Sequence, residues 1–249
     1  MAKFDGIFDI QGTLKGMTFY KTADGIRIRT KGGISKQRIM NDPAFARTRE
    51  NGREFGNIAS SGKLLRNALG PLVFQAKDAK MTGRLVKIMG QVKNLDSVSA
   101  RGDRNVAQGL TELSAKQLLK GFDFNAKAPL GTVLNSAISV TAATGVVDFS
   151  AFNPKEQLRA PDGASHFSLQ SGFLRLDFET GSSALALSPE LEFPLVQSIL
   201  TPVLTPTTVP TGTGVSIYVL LVSFFQEVNG IKYLLNNGAY NVLHIVEVD

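Results

Sequence analysis

Apolar positions change their period near residue 120. Up to that point they recur at helical spacing or sit among turn residues, whereas beyond about residue 130 they fall into short β-branched runs divided by Gly, Pro, Asn and Thr. The junction, 121–131, is a natural boundary. The first thirty residues predict two or three short strands. Ile7, Phe8 and Ile10 precede Gln11-Gly12, and Met17-Thr18-Phe19-Tyr20-Lys21 precedes Asp24-Gly25, a type I′ hairpin signal. The return strand, 26–30, alternates, with Ile26 and Ile28 on one face and Arg27 and Arg29 on the other. A two-stranded ribbon is marginal alone in water, so it must pack on its own domain, a neighbouring subunit or another sheet's edge.

Four amphipathic helices are predicted next. Asp42-Pro43 signals a start, with Asp42 as N-cap, and the helix runs to about residue 59. Its apolar face is Phe45, Phe55 and Ile58, while Arg47, Arg49, Glu50, Arg53 and Glu54 are expected to stay wet. A second helix, capped by Ser60 or Ser61, carries Leu64, Leu65, Ala68, Leu69 and Leu72, with Gly70-Pro71 to kink or end it. A third, over 78–93, places Met81, Leu85, Ile88, Met89 and Val92 on one stripe. A fourth, over 104–120, carries Val106, Leu110, Leu113 and Leu118. Strands are predicted over 137–141, 145–149, 166–170, 173–178, 183–187, 216–227, 231–235 and 242–248. The Thr/Pro-rich stretch 201–212 reads as an extended loop. The fold class is therefore α+β: an N-terminal β-ribbon arm (1–40), a small helical bundle (41–127) and an antiparallel, immunoglobulin-like β-sandwich (128–249).

Composition adds exclusions. The chain of 249 residues has no Cys, no Trp and two His, which removes disulfides, thiolate metal sites and Cys nucleophiles and leaves little for a His-based metal site. No apolar run reaches the roughly 18 residues of a membrane span, and the N-terminus carries no secretory h-region, so a cytoplasmic location is expected. Charge is unevenly distributed. Residues 1–127 hold 23 Lys/Arg and 11 Asp/Glu, whereas residues 128–249 hold 4 and 10, so a basic half precedes an acidic one.

Motifs with catalytic echoes are weak. Ser60-Ser61-Gly62-Lys63 matches Ser-x-x-Lys without its companion motifs and reads better as a helix start. Arg101-Gly102-Asp103 reads as a turn with Asp103 capping the fourth helix. Lys31-Gly32-Gly33 lacks the phosphate-loop spacing, and Asp177 with Glu179 reads as a solvated sheet face. His166 and His244 read as sheet residues, and no paired-carboxylate or Ser/His/Asp set assembles from spacing. No cofactor, metal or small-molecule substrate is expected.

Several segments resemble a family of uncharacterised Bacteroidetes proteins: Thr18-Phe19-Tyr20-Lys21, Lys31-Gly32-Gly33-Ile34-Ser35, 41–51, Glu54-Phe55-Gly56, 62–66, 99–106, 225–230 and 237–241. The resemblance implies one coherent bacterial protein and carries no activity to transfer.

The expectation is a non-enzymatic structural protein that self-assembles into a homopolymer. The interface is expected at Phe19, Tyr20, Lys21, Arg27 and Arg29, with Lys36, Arg38, Arg47, Arg49 and Arg53 meeting a polyanion or an acidic partner. The alternative is a nucleic-acid-associated protein that binds the phosphate backbone through the basic half, without a motif for sequence readout.

Overall fold

The computed structural model describes residues 2–4, 11–23, 25–30 and 33–249. The chain divides into two compact units, Met1–Arg49 and Glu50–Asp249. The predicted strand around Ile7, Phe8 and Ile10, the Asp24 half of the hairpin signal and the Lys31-Gly32 joint lie outside the described residues.

The first unit contains β1 (Ala2–Phe4), β2 (Gly12–Leu14), β3 (Met17–Thr22), β4 (Gly25–Thr30) and α1 (Lys36–Asn41). The predicted hairpin forms as β3 and β4, with Thr22 paired to Gly25. It is widened on both sides into an antiparallel sheet of order β1-β4-β3-β2. Ser35 caps α1, its Oγ accepting the Arg38 amide at 3.2 Å. Asp42 then caps the short helical turn Pro43–Phe45, as its sequence position predicts, by accepting the Ala44 amide at 2.9 Å.

That turn leads into α2 (Ala46–Ala68), one continuous helix through the predicted break at Ser60-Ser61. Neither serine caps a helix. Ser61 and Gly62 lie on the buried face with Ile58 and Leu65, and packing against Leu85 overrides the weak helix propensity of the pair. The buried face is also offset by one residue from its predicted position. Glu54 is buried and Phe55 is 61% exposed, because Glu54, Ile58, Ser61 and Leu65 share the stripe that faces the core.

The remaining helices of the second unit are α3 (Gly70–Gln75), begun by Pro71 in its first turn, α4 (Met81–Asn94), α5 (Val106–Gly109) and α6 (Leu113–Leu119). The predicted fourth helix is thus two short ones. Asn105, and not Asp103, caps α5 by accepting the Gln108 amide, while Ala115 and Leu119 are buried in place of the exposed Leu113 and Leu118. Short helices α7 (Leu130–Val133) and α8 (Pro154–Gln157) flank β5 (Ile138–Thr141) and β6 (Val146–Phe149). Then follow β7 (His166–Leu176), β8 (Ser183–Leu187), β9 (Leu191–Pro194), β10 (Val203–Leu204), β11 (Val215–Val228), β12 (Ile231–Leu234) and β13 (Val242–Val248). The run read as two strands, 166–170 and 173–178, is the single strand β7. The Thr/Pro-rich loop donates β10 to β6, a pairing too short to leave a periodic signal.

All pairings in the described strands are antiparallel. The larger sheet is built on the β7–β11 pair, with β8 and β9 along the far side of β7 and β12 and β13 along the far side of β11. Side chains of β11 alternate between two cores. Ile217, Val219 and Leu221 join Leu65, Leu72, Leu85 and Met89 of the helices, while Leu220, Val222 and Phe224 join Val147, Phe149 and Leu204 of the small sheet β10-β6-β5. Helices, a large sheet and a small sheet thus form three layers. The texture change near residue 121 is a passage between layers that share a core. The mixed α+β character matches the sequence, but the larger sheet differs from that of a bare sandwich in carrying helices on its second face.

Two glycines separate packing from propensity. A Cβ on Gly109 would stand 2.3 Å from the Val92 carbonyl oxygen, whereas Gly83 on α4 has open space. Gly109→Ala is expected to cost about 2 kcal/mol or more of unfolding free energy, and Gly83→Ala to gain up to about 1 kcal/mol. Urea denaturation of the two variants checks both signs.

Candidate functional site

The residues expected to form an interface fall on opposite faces of the N-terminal sheet. Because Phe19 pairs with Ile28 and Tyr20 with Arg27, alternate positions separate cleanly. Phe19 and Lys21 share a face with Ile26, Ile28, Met17 and Leu14. Tyr20, Arg27 and Arg29 share the other, where the Arg29 guanidinium lies 5.5 Å over the Tyr20 ring. On the apolar face Leu14 is 61% exposed and Met17 40% exposed, while Phe19, Ile26 and Ile28 are half-buried.

The second group of predicted residues disperses. Arg38 bonds Asp42 one turn on, at 3.1 Å. Arg49 donates to the carbonyls of Ile39 and Asp42, at 2.7 and 2.9 Å, and so ties the start of α2 to α1. Lys36 is exposed at the start of α1, and Arg47 is exposed on α2. Arg53 belongs to the other unit, where it donates to the Gly102 carbonyl and pairs with Asp103.

Counting charge by unit sharpens the picture. Residues 1–49 hold ten Lys/Arg and four Asp/Glu, and residues 50–249 hold seventeen of each, so the whole formal charge of +6 resides in the N-terminal unit.

The most organised polar cluster surrounds Glu54. Its carboxylate accepts two bonds from Arg104, at 2.9 and 3.0 Å, one from Lys93 at 2.5 Å and one from the Gly102 amide at 2.8 Å. Asp96, also buried, accepts the amides of Val98, Ser99 and Asn105. Two acids and two bases therefore balance inside the helical layer. The Arg101-Gly102-Asp103 turn completes the clamp, with Arg101 paired to Glu50 and Gly102 at a φ of 94°. A fully satisfied buried network of this kind fixes the position of the 96–105 loop on α2. Sequence reading set Glu54 in solvent. Its position four residues before Ile58 on the core stripe was the available signal.

Other chemistry-bearing groups serve as ties. Ser165 Oγ accepts the Glu227 amide at 2.8 Å and lies 3.0 Å from His166 Nδ1, whose Nε2 is 3.4 Å from Glu227, so the trio joins β7 to β11. His244 Nδ1 meets Asp123 at 2.7 Å, fastening the 121–124 strap along β13. Asp177 lies past the end of β7. Its carboxylate takes the Thr213 hydroxyl and the Thr180 and Glu179 amides, which hold its pKa down to about 2. Ser60 and Lys63 are both exposed on α2. Among the described residues no group of three or more His, Cys, Asp or Glu is placed to hold a metal ion, and no helix is long and apolar enough to cross a membrane.

Comparison of the chain with family models, curated proteins and solved structures finds no match.

The bonds from Arg104, and with them those from Lys93 and Gly102, outweigh burial and lower the Glu54 pKa from 4.5 to about 2. A depressed carboxylate stabilises the fold above its ordinary pKa and loses that contribution as pH falls toward the folded value. Stability is therefore expected to drop between about pH 4.5 and pH 2, and Glu54→Gln to flatten that slope. At neutral pH the same variant is expected to cost about 3 kcal/mol, because buried Lys93 and half-buried Arg104 lose their counter-charge. Chemical denaturation across this pH range checks both effects.

Proposed function

We propose that this is a non-enzymatic structural protein that assembles with copies of itself into a homopolymer, using the N-terminal sheet as a contact element. One observation carries the reading: a four-stranded sheet with an apolar face and a basic face, the apolar face exposing Leu14 and Met17. Large apolar groups exposed together on one sheet face mark an interaction surface. Concentration of the whole net charge in the same unit supports contact with a surface of opposite sign. The three-layered unit supplies the rigid body, with stacked sheets of immunoglobulin-like size. Assembly takes place in the cytoplasm.

A second reading has its own support. Tyr20, Arg27 and Arg29 on one face resemble a backbone-phosphate contact, which would make the partner a nucleic acid. Salt separates the two, because phosphate contacts release counterions and weaken steeply as salt rises, while apolar burial persists.

Negative-stain microscopy and light scattering on nuclease-treated protein, at low and high salt, form the test. Ordered assemblies are expected at both, and removal of residues 1–30 is expected to leave single chains. Assemblies that dissolve with nuclease, or that form equally well without residues 1–30, would overturn the reading.

A further inference from the structure

The end of the large sheet at which β11 begins is hollowed into an open cavity of about 680 Å³. Lys116 of α6 lines it from the helical side. Arg175 lines it from the other: alternation along β7 puts it on the face of Phe167 and Leu169, which packs on the small sheet. Both side chains are half-buried, and among the described residues neither has a hydrogen-bond or ion-pair partner. Arg175 Nε is fully covered and unpaired. By contrast, Lys93 and Arg104 close on Glu54, and Arg84 on Asp78. A covered guanidinium nitrogen without an acceptor costs free energy that a bound acceptor would offset.

The wall of the cavity is fixed by the fold. Thr213 donates its hydroxyl to Asp177 at 2.8 Å, and the Ser216 and Asp249 backbones exchange bonds of 2.8 and 2.9 Å. Between them Gly214, at a φ of 93°, is pressed onto the end of β7 so closely that a Cβ there would stand 2.2 Å from the Leu176 carbonyl oxygen. The stem of Arg175 runs beneath the same loop, its Cγ 4.0 Å from the place a Cβ on Gly212 would take.

The lining defines the ligand. Two cations stand against one acidic side chain, Asp249, which leaves a single net positive charge suited to a monoanion. The planar guanidinium fork matches a carboxylate in shape as well as in charge. Ala107, Leu110, Ala142 and Val215 supply apolar wall beside these groups. We infer that the cavity binds a small organic carboxylate with an apolar body, Arg175 taking the carboxylate and Lys116 adding to the field that holds it. The site lies wholly in the second unit and goes beyond the self-assembly reading, on which it does not depend.

Benzoate is the probe, followed on the full-length chain by saturation-transfer NMR, which reads the ligand's own signals and so works on single chains and assemblies alike. Saturable binding is expected for benzoate and none for neutral benzamide. Arg175→Met is expected to weaken benzoate binding about tenfold or more and Lys116→Gln by a smaller factor. Lys63→Gln, which removes an exposed cation of α2, is expected to leave it unchanged. Urea denaturation without ligand gives a second reading. Because Arg175→Met replaces an unpaired, half-buried cation with an apolar chain, its midpoint is expected to rise. A midpoint that falls would contradict an unpartnered Arg175 and overturn the argument. Absence of saturable benzoate binding, or binding that Arg175→Met leaves unchanged, would overturn the site. Displacement of benzoate by an equal concentration of inorganic phosphate would overturn the carboxylate assignment.

Discussion

Burial of β11 on both faces is the constraint from which the arrangement of the second unit follows. A strand with Ile217, Val219 and Leu221 on one side and Leu220, Val222 and Phe224 on the other needs a layer against each, and the chain supplies helices for the first and the small sheet of β5, β6 and β10 for the second. Full burial forces the strand's backbone to be paired on both edges as well, which β7 and β13 accomplish over its central residues. Tyr218 shows how a polar group is fitted to this site: its ring stacks on Phe173 at 4.6 Å and its hydroxyl donates to the Ala142 carbonyl at 2.6 Å. Where the double cover ends, at Phe225, the same strand becomes an exposed ribbon.

Charge takes a different part in each unit. In the second, the seventeen bases equal the seventeen acids, and the best-buried of them close on one another around Glu54. That cluster converts a loop with little apolar content, 96–105, into part of the packed structure. In the first unit Lys and Arg outnumber the carboxylates, ten to four.

Much of the fold was legible because apolar period and burial coincide. The ribbon 17–30, the stripe of α4, β8 and β13 and the hairpin at Asn229-Gly230 appear where alternation or helical spacing puts them. Reading failed where tertiary packing outweighed local preference. Ser60-Ser61 looked like a cap and lies within α2; Glu54 looked wet and is clamped; Phe55 looked buried and is exposed. Each turns on which neighbour sits opposite, information that a single chain's periodicity lacks. The interface candidates show the same limit. Alternation separated Ile26 and Ile28 from Arg27 and Arg29, but β1 and β2, too short to show a period, were needed to make a four-stranded sheet.

The account depends on the N-terminal sheet finding its cover on another copy. Amide hydrogen exchange measured as a function of protein concentration tests this most directly, because an exposed sheet opens freely and a docked one does not. The account predicts that amides of β2, β3 and β4 exchange rapidly in dilute solution and become protected as concentration rises, while the amides of β7 and central β11 stay protected throughout. Protection over 12–30 that is the same at every concentration would contradict it.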